Sequence, residues 1–560
     1  MTGLQSHLDY LYGADRAPGV FERAQAILKS HRARIPARDG TLTERDSILI
    51  TYGDQVQAPN EKPLRTLGAF CRNYLADVVG GIHILPFFPW TSDDGFSVAD
   101  YRQVDPDLGD WDDLVSMQTH FRLMYDGVIN HVSSQSKWFQ GFLRDDPRFR
   151  EYFIVVEGSP DLTKVARPRA LPLLTSFPTP SGEKRVWTTF SADQIDLNYE
   201  NPDVLLDILD ILLLYVERGA TFLRLDAIAY LWKEIGTPCI HLPQTHRVIQ
   251  FLRAALTDVA PHVRLITETN VPHADNVSYF GDGANEAQLV YNFALPPLTL
   301  HAFHTGDARI LSQWASSLNL PSNQTTFFNF LASHDGIGLN PARGILSNAE
   351  INALAEKTLE HGGLISYKQN EDGSESPYEM NINYFDALSN PHGDESLGLQ
   401  LDRFMAAQAI MLSLVGAPGI YFHSLFGSRG WPEGVKQTGR NRAVNREKCQ
   451  LETLQAELAD ENSLRARAFA RYRQLLRARG AAPAFHPHGG QKILDIHPSV
   501  FALERVSPDG ISRAACLHNV GAKTIEFKTR YGTAKNILAE QSLDISTIAL
   551  EPYQTLWVKL

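Results

Sequence analysis

Three carboxylates lie in order along this chain, each closing a short apolar run. They are Asp226 in Thr221-Phe-Leu-Arg-Leu-Asp-Ala227, Glu268 in Arg264-Leu-Ile-Thr-Glu268, and Asp335 in Asn329-Phe-Leu-Ala-Ser-His-Asp335. A fourth, Asp126, ends the run from Phe121 and leads into Asn130-His131. A lone aspartate at a strand end is more often a helix cap or a loop-ordering group than a catalyst, and short motifs are weak alone. Four in series, with Arg224 two residues before Asp226 and His334 directly before Asp335, point to chemistry. Runs of this length suit the buried strands of a parallel barrel, whose C-terminal ends carry reacting groups. Two carboxyls facing one sugar can act as nucleophile and proton donor, the pairing of retaining glycosidases. Arg224 and Asp226 share strand parity, so both point into the barrel. An inward guanidinium lowers its neighbour's pKa and keeps it ionised, as a nucleophile requires.

The elements that must position these groups follow from the apolar runs. Ser47 to Tyr52, Gly81 to Phe87, Leu123 to Asp126, Phe222 to Ala227, Leu265 to Glu268, Leu289 to Phe293, Phe327 to Ser333 and Gly419 to His423 read as eight strands. Helical patterns such as Pro202 to Arg218 and His246 to Val259 lie between them, with Pro202 suited to a first helical turn. The expected fold is α/β: a (β/α)8 TIM barrel with two loop-insertion subdomains and a C-terminal antiparallel β domain. Residues 1–131, 193–339 and 391–480 would build the barrel. Residues 132–192 would form an insertion after strand three and residues 340–390 one after strand seven, with Asn348 to Leu359 helical. Both would emerge at the catalytic face, where loops this long are usually lids. Residues 481–560 alternate between turns, as in Ser499 to Arg505, Arg513 to His518, Thr524 to Lys528 and Thr555 to Lys559, and read as the β domain.

Asp126-Gly-Val-Ile-Asn-His131, Phe222-Leu-Arg-Leu-Asp-Ala227, Ile266-Thr-Glu268 and Ala332-Ser-His-Asp335 resemble the four ordered signature regions of the alpha-amylase superfamily, from about residue 45 onward. Within it, Leu85-Pro-Phe-Phe-Pro-Trp-Thr-Ser-Asp-Asp-Gly-Phe96, Arg167-Pro-Arg169, Lys184-Arg-Val-Trp187 and Asn441-Arg-Ala-Val-Asn-Arg446 resemble the sucrose phosphorylase subfamily. Finer still, Trp232 to His241, Thr267 to His273 and Ser376 to Asn383 are similar to the glucosylglycerate phosphorylases. The resemblance implies that Asp226 attacks the anomeric carbon, Glu268 is acid and base, and Asp335 grips the sugar hydroxyls. The Asp226 and Glu268 carboxyls would sit about 5–5.5 Å apart. His131 and His334 would donate to the same sugar, Asp93 and Arg442 would hold its far end, and Phe96 and Tyr230 would wall it. Arg185 and Tyr378 resemble phosphate-contacting positions. Asn270 and Glu379 stand where the sucrose enzymes have histidine and glutamine, so the acceptor differs from fructose. Glycerate needs a cation, with Arg167, Arg169 and Lys368 as candidates; Glu379 would pair with one of them. Asn130 resembles a calcium position of many amylases, but no long acidic loop accompanies it, so no metal is expected. No cofactor is expected either; inorganic phosphate is a co-substrate.

Bulk properties fit. The chain has 560 residues, 43% hydrophobic and 21% charged, values of a globular protein with a large core. A net charge of −12 argues against a nucleic-acid partner, so an anionic substrate must meet a local cluster of cations. Cys71, Cys239, Cys449 and Cys516 lack close or metal-like spacing and read as reduced core thiols. No leader pattern and no membrane-length run appear, so the expectation is a cytoplasmic protein, a monomer or homodimer acting on small sugars and phosphate. Three function classes stay open at this point: a glucosylglycerate phosphorylase, with sucrose or sucrose 6-phosphate phosphorylase as its variant; an α-glucoside hydrolase or transglucosidase; and a sugar-binding protein on an inactive barrel.

Overall fold

Eight short strands close into a barrel in the computed structural model, which describes residues 2–169, 171–369, 374–529 and 531–560. They are β1 (Ile48–Thr51), β2 (Gly81–Ile84), β3 (Arg122–Gly127), β4 (Ala220–Leu225), β5 (Arg264–Thr267), β6 (Leu289–Tyr291), β7 (Thr326–Asn329) and β8 (Ala417–Tyr421). Every neighbouring pair is parallel, and β8 closes on β1 with Ile48 opposite Gly419. Helices such as Pro202–Glu217 and Pro243–Val259 cover the strands, each opening on a proline whose missing N–H costs nothing there. Strands buried on both faces need continuous apolar runs, which is why β4 is buried at all six positions.

Two excursions leave the C-terminal ends of β3 and β7. The first carries the antiparallel pair His131–Ser133 with Gln194–Asp196 and the hairpin Leu174–Thr179 with Gly182–Trp187. Its root is held by Asp193, whose carboxylate accepts from Thr91, Ser92, Ser97 and Ser134 hydroxyls at 2.5–2.9 Å. The second carries helix Asn348–Glu360, started by a Ser347–Glu350 capping box. It also holds a three-stranded antiparallel sheet, Ile337–Gly338, Glu375–Asn381 and Leu364–Gln369. The C-terminal region forms a six-stranded antiparallel sheet beside a two-stranded one.

The strands end earlier than the apolar runs suggest. β4 stops at Leu225, β5 at Thr267 and β7 at Asn329, so Asp226 and Glu268 each stand one residue beyond a strand, and Asp335 stands six beyond. A long N-terminal helix, Thr2–Arg32, broken at Gly13 (φ 76°), was not expected. Its buried stripe Leu4, Leu8, Tyr12, Val20, Ala24 and Leu28 packs on the helices Pro202–Glu217 and Pro243–Val259. The four cysteines are free and buried, and among the described residues no helix is long and apolar enough to cross a membrane.

Candidate active site

A single cavity at the C-terminal end of the barrel gathers Asp226, Glu268 and Asp335 with Asp93, Phe96, His131, Tyr230, His334 and Arg442. Arg169, Asn270, Tyr378 and Glu379 line it too. Beneath it, Arg224 is the organising cation. Its Nη1 donates to Asp226 Oδ1 at 2.8 Å and to Asp126 Oδ1 at 2.5 Å, and its Nη2 lies 4.0 Å from Glu268 Oε2. Asp126 is fixed from its other oxygen by His83 Nε2 at 2.7 Å. Position on adjacent strands makes this possible, since Asp126 is paired with Arg224 in the β3–β4 register. Just past the strand, Ala227 takes a left-handed turn (φ 50°) whose peptide N–H donates to Glu268 Oε2 at 2.9 Å. A left-handed alanine costs about 1 kcal/mol. The strain falls directly after Asp226, at the peptide N–H that holds Glu268.

Burial pushes Glu268 up to about 7, with Arg224 pulling it back and Asp226 repelling it. Burial also raises Asp226, against the pull of Arg224 and His131. The expectation that Arg224 lowers Asp226 outright is therefore corrected, because desolvation outweighs a single guanidinium. The two carboxyls titrate as a pair. Arg224 lies nearer Asp226 than Glu268, so the pair's first negative charge rests on Asp226 and the proton on Glu268. Burial raises Asp335 as well, yet the guanidinium groups of Arg442 and Arg446 hold it well below the usual carboxylate range. His334 is pushed down to about 3 by burial and is neutral. It stacks on Phe96 with ring centres 4.8 Å apart.

The far end of the cavity holds Asp93, against which Arg169 Nη2 lies at 3.1 Å and Gln194 Nε2 at 3.3 Å. His131 Nε2 sits 2.9 Å from the Phe96 carbonyl, and the ring of Tyr230 meets Phe190 edge-on at 5.5 Å. Asn270 Nδ2 donates to Tyr378 Oη at 3.5 Å. Arg442 Nη1 donates to Asp335 Oδ1 at 2.5 Å, whereas Arg440 is exposed and reaches Asp94 at 3.5 Å.

Three expected cations are not in the cavity. Arg185 lies on the Gly182–Trp187 hairpin strand, and its guanidinium is bound to the Val156 and Gly158 carbonyls. Arg167 is exposed and donates to the Leu171 carbonyl. Lys368 sits on the second lid's outer hairpin strand, paired opposite Ser376. Of the four, only Arg169 reaches the cavity, over the face of Phe190 at 5.7 Å. Glu379 pairs with Arg442 and not with Arg167, Arg169 or Lys368. Phe190, Gln194 and Arg446 were missed, although Arg446 closes the Asn441–Arg446 motif and Phe190 stands three residues after Lys184–Trp187. At Asn130, the ammonium of Lys233 lies 2.9 Å from Asn130 Oδ1 and 2.6 Å from Asp196 Oδ2, both buried.

Residues 73–338 match the model of the alpha amylase catalytic domain. Over 99% of its length the chain is 51% identical to a glucosylglycerate phosphorylase of Allomeiothermus silvanus, covering 97% of that protein. It is 43% identical to one of Escherichia coli K12, with 99% of each chain covered. The chain belongs to the alpha-amylase superfamily, among its disaccharide phosphorylases. A sucrose phosphorylase of Agrobacterium vitis is 31% identical over 78% of this chain and 88% of its own. The solved sucrose 6F-phosphate phosphorylase of Thermoanaerobacter thermosaccharolyticum superposes with a TM-score of 0.75 at 25% identity, covering 91% of this chain and 98% of that one. The protein is an enzyme of this phosphorylase type.

Proposed function

We propose that the enzyme carries out reversible phosphorolysis of 2-O-α-glucosylglycerate, giving α-D-glucose 1-phosphate and D-glycerate, with no cofactor and in the cytoplasm. In the first step an Asp226 carboxylate oxygen bonds to the anomeric carbon as the glycosidic C–O bond breaks, and Glu268 gives its proton to the leaving glycerate oxygen. In the second, a protonated phosphate oxygen displaces Asp226 from the β-glucosyl ester, restoring its carboxylate, and gives its proton to Glu268, which regains the acid form. Two inversions give net retention. Asp335, neighboured by Arg442, His334 and Arg446, is the carboxylate that grips the ring hydroxyls as positive charge develops at the anomeric carbon. Phosphate and glycerate enter the same side of the ester in turn, and Arg169 is the cation placed for both, since arginine binds phosphate and carboxylate in a fork.

The observation that carries this reading is the Asp226–Glu268 pair around Arg224, in a chain half identical over its whole length to enzymes of that name. The acceptor is supported by Asn270 and Glu379, which replace the residues expected for fructose. The test is an acceptor comparison from α-D-glucose 1-phosphate. D-glycerate should react faster than fructose, fructose 6-phosphate or glycerol, and Arg169→Ala should weaken phosphorolysis at least about tenfold. Preference for fructose or its phosphate would overturn the glycerate assignment.

A further inference from the structure

The loop after β2 runs through three left-handed residues just before Phe96. Asp93 (φ 56°), Asp94 (φ 49°, ψ 50°) and Gly95 (φ 106°) follow one another, and only the third is glycine. Aspartate tolerates this conformation better than most residues, but glycine adopts it at no steric cost. Asp93 has a use there, since it lines the cavity. Asp94 stands outside that lining. Its carboxylate pairs with Arg446 Nη1 and, at 3.5 Å, with the exposed Arg440. The Asp94 side chain is 35% exposed, and ion pairs open to water add little to stability. Stability alone is a weak reason for an aspartate in a conformation that suits glycine.

What Arg446 touches supplies a better one. Its side chain is buried, its Nε donates to the His334 carbonyl at 2.8 Å, and its Nη2 lies 3.4 Å from Asp335 Oδ1. That same oxygen already accepts from Arg442 Nη1 at 2.5 Å. A buried guanidinium without a second carboxylate would close on Asp335. Two close guanidinium groups would fill lone pairs that must accept from ring hydroxyls. They would also cancel the negative charge that answers the positive charge developing at the anomeric carbon. We propose that Asp94 is a positioning residue for glucosyl transfer. It holds Arg446 back from Asp335, so that carboxylate keeps its charge and its acceptors for the sugar, while Arg446 still fixes His334 through the carbonyl. Phe96, two residues further along, stacks on the His334 ring at 4.8 Å, so the loop after β2 sets the loop after β7 at two points. Asp94 acts through Arg446 and touches no substrate. The inference deepens the phosphorolysis reading and rests on its glucosyl half.

The experiment compares Asp94→Asn and Asp94→Gly, both suited to the left-handed turn, with the wild type. Each should keep the urea midpoint and lose about tenfold or more in kcat/KM, since small misplacements at a reacting centre can cost about 100-fold. The loss should be equal on glucosylglycerate and α-glucosyl fluoride, because Asp335 serves the ring common to both. The fall in activity through pH about 7, set by Glu268, should stay where it is in the wild type. In an Arg446→Gln background, Asp94→Asn should cost less than about twofold more, as expected of residues that act as one unit. Unchanged kcat/KM in the folded variants, a loss confined to glucosylglycerate, or full additivity with Arg446→Gln overturns the proposal. So does a midpoint well below wild type in both variants, which would make Asp94 a structural tie. A wild type that reacts with the fluoride but phosphorolyses no glucosylglycerate would instead sink the proposed reaction, and the Asp94 comparison on the fluoride would still be read.

Discussion

At the scale of single residues, the proposed mechanism divides one proton between two carboxyls. Asp226 and Glu268 are both raised by burial, and one guanidinium, nearer Asp226, decides which of them ionises first. Glu268 carries the proton below about 7 and loses it above. The sign is explicit: the protonated form is the acid, so kcat/KM on glucosylglycerate should fall as pH rises through about 7. On α-glucosyl fluoride, whose leaving group needs no proton, that limb should be absent. Glu268→Gln should likewise lose most activity on the glucoside and little of the ester-forming step on the fluoride. Equal losses on both substrates would mean that Glu268 only positions the sugar. The same shift bears on stability. A carboxyl raised in the fold holds its proton between about 4.5 and 7 while the unfolded chain has released it, so its contribution falls as pH rises.

At the scale of elements, strand ends and the lids they carry are tied by buried charges. Lys233 joins Asn130, beyond β3, to Asp196 in the returning strand of the first insertion. Lys233→Met should leave Asp196 buried without its ammonium, at a cost of about 3–5 kcal/mol. It should also loosen the insertion that carries Arg169. A denaturant midpoint well below wild type, with a raised phosphate KM, is the expected outcome; an unchanged midpoint would contradict it. The strands and their terminal carboxylates were legible because both follow from local pattern: apolar runs make strands, and polar residues at their C-terminal ends face the site. Which lid arginine enters the cavity was not. Arg167 and Arg169 are two residues apart and Arg185 lies on a hairpin, and their directions depend on how the insertion folds back on Asp93 and Phe190. The pairing of Glu379 was hidden for the same reason. Its partner Arg442 is 63 residues away and meets it only across a completed lid sheet.

At the scale of the whole molecule, the barrel is locked to the C-terminal region by two buried arginines that no motif announced. Arg479 donates to the carbonyls of Leu412 (3.2 Å), Gly416 (3.1 Å), Phe485 (3.1 Å) and Glu44. Arg505 donates to those of Ser413, Gly490 and His486 at 2.8–3.1 Å. Leu412 and Ser413 end the helix Leu397–Ser413, whose terminal carbonyls carry partial negative charge. That, with the chain's other carbonyls, lets two cations stay buried where neither forms an ion pair among the described residues. Arg479→Leu should orphan carbonyls from the stretch before β1, the stretch before β8 and the turn into the C-terminal sheet at once. Each buried unsatisfied group costs about 1–3 kcal/mol, so the urea midpoint should drop by an amount visible at the first titration. None of these partners lines the catalytic cavity, so kcat/KM measured at low temperature, where the variant remains folded, should match wild type. Loss of activity without loss of stability would show that this joint transmits to the site, and would refute its reading as a structural lock.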